Sequence, residues 1–180
     1  SDDEQNKRVL EAYKTYLKKL FVLTGYDEAT AEKKMQAVLA IETRIAKASY
    51  DQVKLRDVAA NYHKMSYMQL VNDFPGIDWG NVFLASGFPA FDAIDVGQPE
   101  PIHEVEQILA ETSLDDLKTY AEAKVISGAS SQLSDDFRKV SFEFNSVLTG
   151  VKQDRPRWKR GVSLVSGVLG EAIGKLYVEK

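Results

Sequence analysis

Apolar residues recur at the three- and four-residue spacing of a helix along most of the chain. The first run predicts an amphipathic helix that opens with a capping box at Ser1 and Glu4 and stops at Gly25. The second run predicts a helix from about Asp27 to Ala48, and the short connection predicts an antiparallel hairpin. The predicted inward positions are Val9, Tyr13, Tyr16, Leu17, Leu20 and Phe21, then Ala31, Met35, Val38, Leu39, Ile41, Ile45 and Ala48.

Residues 49–101 are less regular. A short helix is expected to start at Ser66 and Gln69, and a brief one is expected from Asp78 to Ser86, closed by Gly87. Pro75-Gly76 predicts a turn, and residues 93–96 predict a short extended piece. Three further helices are then predicted, and the first runs from Pro101 to about Thr112. The second starts at Ser113 and carries Leu114, Leu117, Tyr120, Ala121, Lys124 and Val125. The third runs from Ser134 to its stop at Gly150, with Phe137, Val140, Phe144, Val147 and Leu148 facing inward.

The last predicted helix starts around Asp154 and Pro156 and runs to Lys180 without a glycine or proline stop. Such an apolar, uncapped end is expected of a helix that has been cut, although a natural C-terminal helix with its last carbonyls in water is the alternative. The whole pattern gives about seven helices and no convincing sheet. The predicted fold class is therefore all-α, a multi-helix bundle of antiparallel hairpins with an irregular middle segment.

Composition narrows the possible functions. With 23 Lys and Arg against 27 Asp and Glu, the net charge is −4, so the broad positive field needed for nucleic-acid binding is absent. The chain has no cysteine, which excludes disulfides, thiolate zinc sites and a cysteine nucleophile. No apolar run approaches the roughly 20 residues of a membrane span, so no transmembrane segment is expected in this sequence.

Only two histidines, His63 and His103, are available for imidazole chemistry. The segment from His103 to Gln107 begins like His-Glu-x-x-His, but an amide stands where that motif has its second histidine. Glu104 and Glu106 are better explained as first-turn acids of a helix, and a degenerate active site at His103 is the weakest alternative. His63 is expected to be partly buried with ordinary hydrogen bonds. The residues themselves predict no catalytic, cofactor-binding or metal-ligating residue.

Two further patterns predict packing rather than chemistry. Gly167, Gly170 and Gly174 lie three and four residues apart in an apolar helical run, which favours close approach of another helix. A basic cluster surrounds Trp158 and is more typical of a solvated face or an ion-pair site than of a nucleic-acid interface. Because cations oppose the dipole at the start of a helix, we expect acidic partners, some from elsewhere in the fold or from chain outside this sequence. The cluster is Lys152, Arg155, Arg157, Lys159 and Arg160.

Several segments together resemble the neprilysin/PepO family of zinc metalloendopeptidases, in its bacterial PepO-like branch. The most specific is Arg157-Trp158-Lys159-Arg160, followed by Glu171-Ala172-Ile173-Gly174-Lys175-Leu176-Tyr177-Val178. The others are the stretch from Ala37 to Ala46 with Glu42-Thr43-Arg44 at its centre, the stretch from Arg56-Asp57 to Tyr62-His63-Lys64-Met65, Ile77-Asp78-Trp79, and the helices from Leu114 to Phe144.

The resemblance implies an extracytoplasmic enzyme that cuts small peptides with one zinc ion, held by His-Glu-x-x-His and a later Glu. None of those ligands maps onto this chain, so the resemblance implies a fragment without the zinc site and inactive by itself. Residues 1–153 would form a helical lobe that admits substrate, and residues 154–180 would start a long helix leading toward the catalytic lobe. Peptide substrates and that lobe would be the partners. The alternative is a stand-alone helical module that binds another protein.

Overall fold

A computed structural model describes residues 2–179 and confirms the all-α class. Within those residues there are nine helices, a single 3-10 turn and one two-stranded antiparallel sheet. The bounds are α1 Asp2–Leu23, α2 Glu28–Ala48, the 3-10 turn Lys54–Arg56, β1 Lys64–Ser66, α3 Tyr67–Asp73, α4 Trp79–Ala85, β2 Ala93–Asp95, α5 Pro99–Glu111, α6 Leu114–Ala129, α7 Asp135–Thr149, α8 Arg157–Val168 and α9 Gly170–Val178.

Helix α1 is the centre of the main bundle and packs against α2, α7 and α6. Helix α2 in turn packs against α5 and α6. The apolar stripe predicted for α1 forms the core of this bundle, since Leu17, Leu20 and Phe21 are each 1% exposed. The buried cluster consists of Tyr16, Leu17, Leu20, Phe21, Ala31, Met35, Val38, Ala123 and Ile126.

The predicted hairpin of α1 and α2 is confirmed, and its turn has a specific cause. Gly25 has a φ of +103°, a conformation that other residues rarely adopt. The Tyr26 amide donates to the Phe21 carbonyl at 3.2 Å, and the Tyr26 ring meets the Phe21 ring edge-on at 6.1 Å. This is a Schellman motif with its hydrophobic contact. Asp27 then caps α2 by accepting from the Thr30 amide at 2.9 Å. Ser1, of the predicted capping box, lies outside the described residues.

The irregular middle third forms a small lobe, residues 64–96, beside the bundle. Strands β1 and β2 pair with Met65 opposite Ile94. The predicted start of α3 is confirmed, because the Ser66 side chain accepts from the Gln69 amide and the Gln69 side chain accepts from the Ser66 amide. The lobe's own core consists of Leu70, Phe74 and Val96, with Met65, Trp79, Phe83, Ile94 and Ile102 packed against it.

Two sequence expectations are corrected. Leu148 was predicted to face inward, but it lies in the last turn of α7 and is 51% exposed. On α6, for which the sequence predicted no inward face, the buried residues are Thr119, Ala123 and Ile126, whereas Leu114 and Val125 are exposed. The predicted terminal helix is two helices, α8 and α9, bent by 92° at Leu169. The backbone of Leu169 leaves helical geometry at φ −113° and ψ 26°, directly before Gly170. A continuous apolar pattern therefore conceals a sharp change of direction.

Candidate functional site

The His103 segment is held by structural contacts. His103 Nδ1 lies 3.1 Å from Glu106 Oε2, and its ring packs on Phe74 at a centroid distance of 4.6 Å. The other Glu106 oxygen accepts the Gly76 amide at 2.6 Å. Glu104 pairs with Arg44 of α2 at 2.5 Å. Glu106 and Glu104 thus bind α5 to the turn at Gly76 and to α2, respectively.

His63 lies at the start of β1 and is half-buried, as expected from the sequence. Its Nδ1 lies 2.9 Å from the Val96 carbonyl oxygen, and because a carbonyl only accepts, Nδ1 carries the proton. Its backbone amide donates to Asp95 at 2.8 Å. His63 therefore joins the residue before β1 to the end of β2.

Zinc would need three or four protein ligands that converge on one point. Among residues 2–179, no group of three or more His, Asp or Glu side chains is placed to hold a metal ion. His63 and His103 are both engaged in the contacts just described. The donor set of the described chain does not fit the zinc ion that the resemblance implies for the parent enzyme.

The Glu42-Thr43-Arg44 motif joins four helices. Glu42 Oε1 accepts from the Tyr13 hydroxyl at 2.9 Å and from Lys124 Nζ at 2.6 Å. Burial and the Glu42 carboxylate raise the pKa of Tyr13 far above its usual value. For Lys124, partial burial acts to lower the pKa, but the hydrogen bond and charge of Glu42 outweigh it and raise the pKa. Arg44 reaches Glu104 and also Glu111 at 2.9 Å. These polar residues of the motif are structural.

An ion-pair site anchors the start of α8. Asp154 contacts Arg138 of α7 and lies 3.5 Å from Arg160, which also donates to the Arg155 carbonyl. The acidic partner of Arg160 thus lies in the same segment as the basic cluster, between Lys152 and Arg155. No salt bridge to Lys152, Arg155, Arg157 or Lys159 occurs among residues 2–179. The excess positive charge at this helix start faces outward.

Helices α8 and α9 form an arm whose side chains are almost all exposed. Within the part of the chain that the structure describes, nothing lies within 4 Å of a Cβ placed at Gly167, Gly170 or Gly174, so the predicted close helix packing is not made there. No single described helix has the length and hydropathy for a membrane span; α8 and α9 do so only as a bent pair. The exposed apolar residues of the arm are Trp158, Val162, Leu164, Val165, Val168, Leu169, Ile173, Leu176, Tyr177 and Val178.

The fold has close counterparts among solved structures. Zinc metalloprotease ZMP1 of Mycobacterium tuberculosis, in complex with an inhibitor, superposes with a TM-score of 0.91 at 34% identity over 98% of this chain and 28% of that one. The same enzyme in an open state gives a TM-score of 0.90 at 35% identity, over 99% of this chain and 28% of that one.

Sequence comparisons agree with the structural ones. Endothelin-converting enzyme 1 of Rattus norvegicus is 30% identical over 185 residues, which cover 97% of this chain and 24% of that enzyme. Membrane metallo-endopeptidase-like 1 of Mus musculus is 25% identical over 194 residues, which cover 99% of this chain and 25% of that protein. This chain therefore spans about a quarter of the length of these curated relatives. The N-terminal part of Peptidase family M13 matches residues 1–180, and the chain belongs to that family.

Proposed function

We propose that this chain is the helical cap of a zinc metalloendopeptidase that hydrolyses peptide bonds in small peptides, and that the cap supplies no catalytic residue. The observation that carries the proposal is the unequal coverage: similarity extends over 99% of this chain but 28% of the zinc metalloprotease of Mycobacterium tuberculosis. Most of that enzyme, and with it room for a zinc site, has no counterpart here. The arrangement of His, Asp and Glu side chains described above is consistent with a cap that leaves zinc binding to the rest of the parent.

The proposed division places the cap in residues 1–153 and assigns residues 154–180 to the connection toward the catalytic lobe. The bundle and the small lobe have their own buried cores, whereas the arm has none. Leu164, Leu176 and Tyr177 of the arm are 69%, 67% and 85% exposed. The remainder of the parent protein would cover such apolar side chains. In this proposal, the bend at Leu169 would set the direction in which the connection leaves the cap.

A cap of packed helices would act by limiting access. A rigid lobe over a catalytic site excludes bulk water and folded proteins, while flexible peptides enter through the gap between the lobes. Cap and catalytic lobe would move as bodies about the connecting segment. The partners of this chain would then be the catalytic lobe of its own parent and the peptides that pass between them.

We further propose that the parent is a bacterial enzyme that works outside the cytoplasm. The mouse relative is named a membrane metallo-endopeptidase, which supports a location outside the cytoplasm. The mycobacterial source of the structural counterpart supports a bacterial parent. Zinc would be the cofactor of the parent and would be bound outside the residues of this chain.

The access role can be tested on the parent enzyme with residues 2–153 replaced by a flexible Gly/Ser linker. Two substrates carry the same cleavable sequence, one as a short fluorogenic peptide and the other within a folded domain. Because the cap would exclude the folded substrate, its removal should raise the ratio of folded-substrate to short-peptide cleavage. Bound zinc per molecule serves as the check that the remaining lobe is folded.

A zinc-loaded, cap-less enzyme that still discriminates against the folded substrate to the same degree would contradict the access role. If the cap-less enzyme fails to bind zinc, the chain is added back in trans. Restored cleavage of the short peptide alone, with the folded substrate still refused, would then support the role, and restored cleavage of both substrates would contradict it.

A further inference from the structure

An aromatic face covers the outside of the small lobe. The Phe83 ring lies at its centre, with Phe91 edge-on at 5.0 Å, Phe88 at 5.7 Å and Tyr67 at 6.4 Å between ring centroids. Trp79 stacks on the inner side of Phe83 at 5.8 Å and links the face to the buried core. We call this set, Tyr67, Phe83, Phe88 and Phe91, the aromatic face.

The position of Phe88 is fixed by the backbone. Gly87 has a φ of +67° and its amide donates to the Leu84 carbonyl, while the Phe88 amide donates to the Phe83 carbonyl at 3.0 Å. These two bonds form a Schellman motif at the end of α4, and the Phe88 and Phe83 rings supply its hydrophobic contact. The outermost ring is therefore held in place before any partner arrives, which lowers the entropy cost of binding.

The aromatic face remains open to solvent in the described chain. Phe88 is 59% exposed and Tyr67 is 37% exposed. Met68 and Leu84, which follow Tyr67 and Phe83 along α3 and α4, are also exposed, at 63% and 79%. A patch of several large, adjacent apolar side chains is a mark of an interaction surface, whereas single exposed residues are not.

Charge identifies what the patch would accept. Residues 65–117 contain no Lys or Arg and ten acidic residues, of which six lie on α5 and at the start of α6 and four, Asp73, Asp78, Asp92 and Asp95, lie in the small lobe. Asp78 and the Tyr67 hydroxyl lie together, 3.5 and 3.6 Å from a Cβ placed on Gly80, and both Asp78 oxygens also accept hydrogen bonds from Asn81 at the start of α4. Asp92 directly follows Phe91 and is exposed. Within residues 2–179, neither Asp78 nor Asp92 takes part in a salt bridge. Lys64, the nearest basic residue before this segment, stands opposite Asp95 across the small sheet.

We propose that the aromatic face, with Asp78 and Asp92 at its edge, binds peptide segments that combine Lys or Arg with large apolar side chains. An ammonium or guanidinium group is attracted both to an aromatic ring and to a carboxylate whose charge no other cation neutralises. The same chain already uses this chemistry: Lys54 Nζ lies 3.4 Å from the Tyr50 ring centroid and 3.2 Å from a Glu100 oxygen. Apolar side chains of the peptide would cover Phe88 and Leu84.

The test uses the chain with Trp158→Phe, which leaves Trp79 as the only tryptophan. A twelve-residue synthetic peptide of alternating lysine and leucine is titrated at low salt while Trp79 fluorescence is recorded. Two peptides of equal length serve as probes of chemistry, one with glutamate in place of lysine and one with serine in place of leucine. The proposal predicts saturable binding of the lysine-leucine peptide and much weaker binding of both others.

Variants locate the site. Phe88→Ala is expected to weaken binding about tenfold, because it removes the most exposed ring of the aromatic face. Asp92→Asn is expected to weaken it about two- to fivefold at low salt and less at high salt, because the exposed charge is screened. Val125→Ala, an exposed residue of α6, and Asp115→Asn, at the start of α6, are the matched controls and should leave binding unchanged. Far-UV circular dichroism confirms that each variant is folded.

Equal binding of the glutamate-leucine peptide, or an unchanged affinity of Phe88→Ala, would overturn the proposal. Sedimentation of the free chain tests a second copy of the chain as the occupant of the face. Self-association that Phe88→Ala abolishes would identify a second copy of this chain as the partner of the face and would equally overturn it. Because binding is measured on this chain alone, the outcome is independent of the proposed capping role.

Discussion

Replacing Phe21 by alanine is expected to lower the free energy of unfolding by about 3–5 kcal/mol, since the change leaves a large cavity in the main core. The Phe21 side chain is 1% exposed. It packs among residues of α1, α2 and α6, and Tyr26 and Lys34 lie against its ring. Urea unfolding followed by far-UV circular dichroism measures the loss.

Leu10→Ala is the matched control, because Leu10 lies on the same helix but is 45% exposed. Its effect is expected to stay within about 0.5 kcal/mol. A Phe21→Ala protein as stable as the Leu10→Ala protein would show that α1 is not the centre of the bundle, and the assignment of the core would then fail.

Phe74→Ala is expected to cause a similar loss of stability, but only in the small lobe. Phe74 is 1% exposed in the core of the small lobe, where Trp79 meets its ring edge-on at 6.3 Å. The Trp79 indole also donates to the Phe74 carbonyl at 3.0 Å. We expect the small lobe to lose about 3–5 kcal/mol of local stability, while the bundle keeps its own core.

Hydrogen exchange measured along the chain separates the two lobes. In Phe74→Ala, the amides of α3 and α4 should exchange far faster, and those of α1 and α2 should be protected as before. Phe88→Ala is the control on the same lobe, since that ring lies at the surface and should cost no more than about 1 kcal/mol. Equal loss of protection in the bundle would mean that both cores unfold as one unit.

Most helix boundaries could be predicted because they depend on local backbone chemistry. Glycine was expected to end helices at Gly25, Gly87 and Gly150, and all three have positive φ. Ser66 and Ser113 were expected to start helices, and both side chains cap them. Such signals depend on residues within a few positions of each other, so they can be interpreted without knowledge of the fold.

The burial of α6 could not be predicted from its own sequence. Its apolar residues are spread around the helix, and the side that faces the bundle is chosen by what α1 and α2 offer. Thr119 is buried between α6 and α2, and its hydroxyl keeps a hydrogen-bond partner there, because the Lys34 ammonium of α2 lies 3.3 Å away. Tertiary contacts of this kind override the apolar pattern.

The bend between α8 and α9 was missed for a related reason. The apolar pattern continues through Leu169, and Gly170 was interpreted as a packing residue. In the structure Gly170 is the first residue of α9, where the chain changes direction. Glycine is compatible with both roles, and the sequence around it does not distinguish them.

The acidic character of the segment that contains the aromatic face was available in the sequence but hidden by averaging. A net charge of −4 over 180 residues conceals ten acidic residues without a basic one between positions 65 and 117. A count of charge by segment would have found it. The zinc ion expected for the parent enzyme, in contrast, was inferred from the family resemblance alone, because no residue pattern in this sequence indicates it.

The most direct test of the central claim is zinc binding and peptide hydrolysis by this chain and by the full-length parent, measured side by side. Calorimetric titration with zinc and a fluorogenic peptide assay serve for both proteins. We expect the parent to bind one zinc per molecule and to hydrolyse the peptide, and this chain, folded by circular dichroism, to do neither. Stoichiometric zinc binding or hydrolysis by this chain alone would contradict the account.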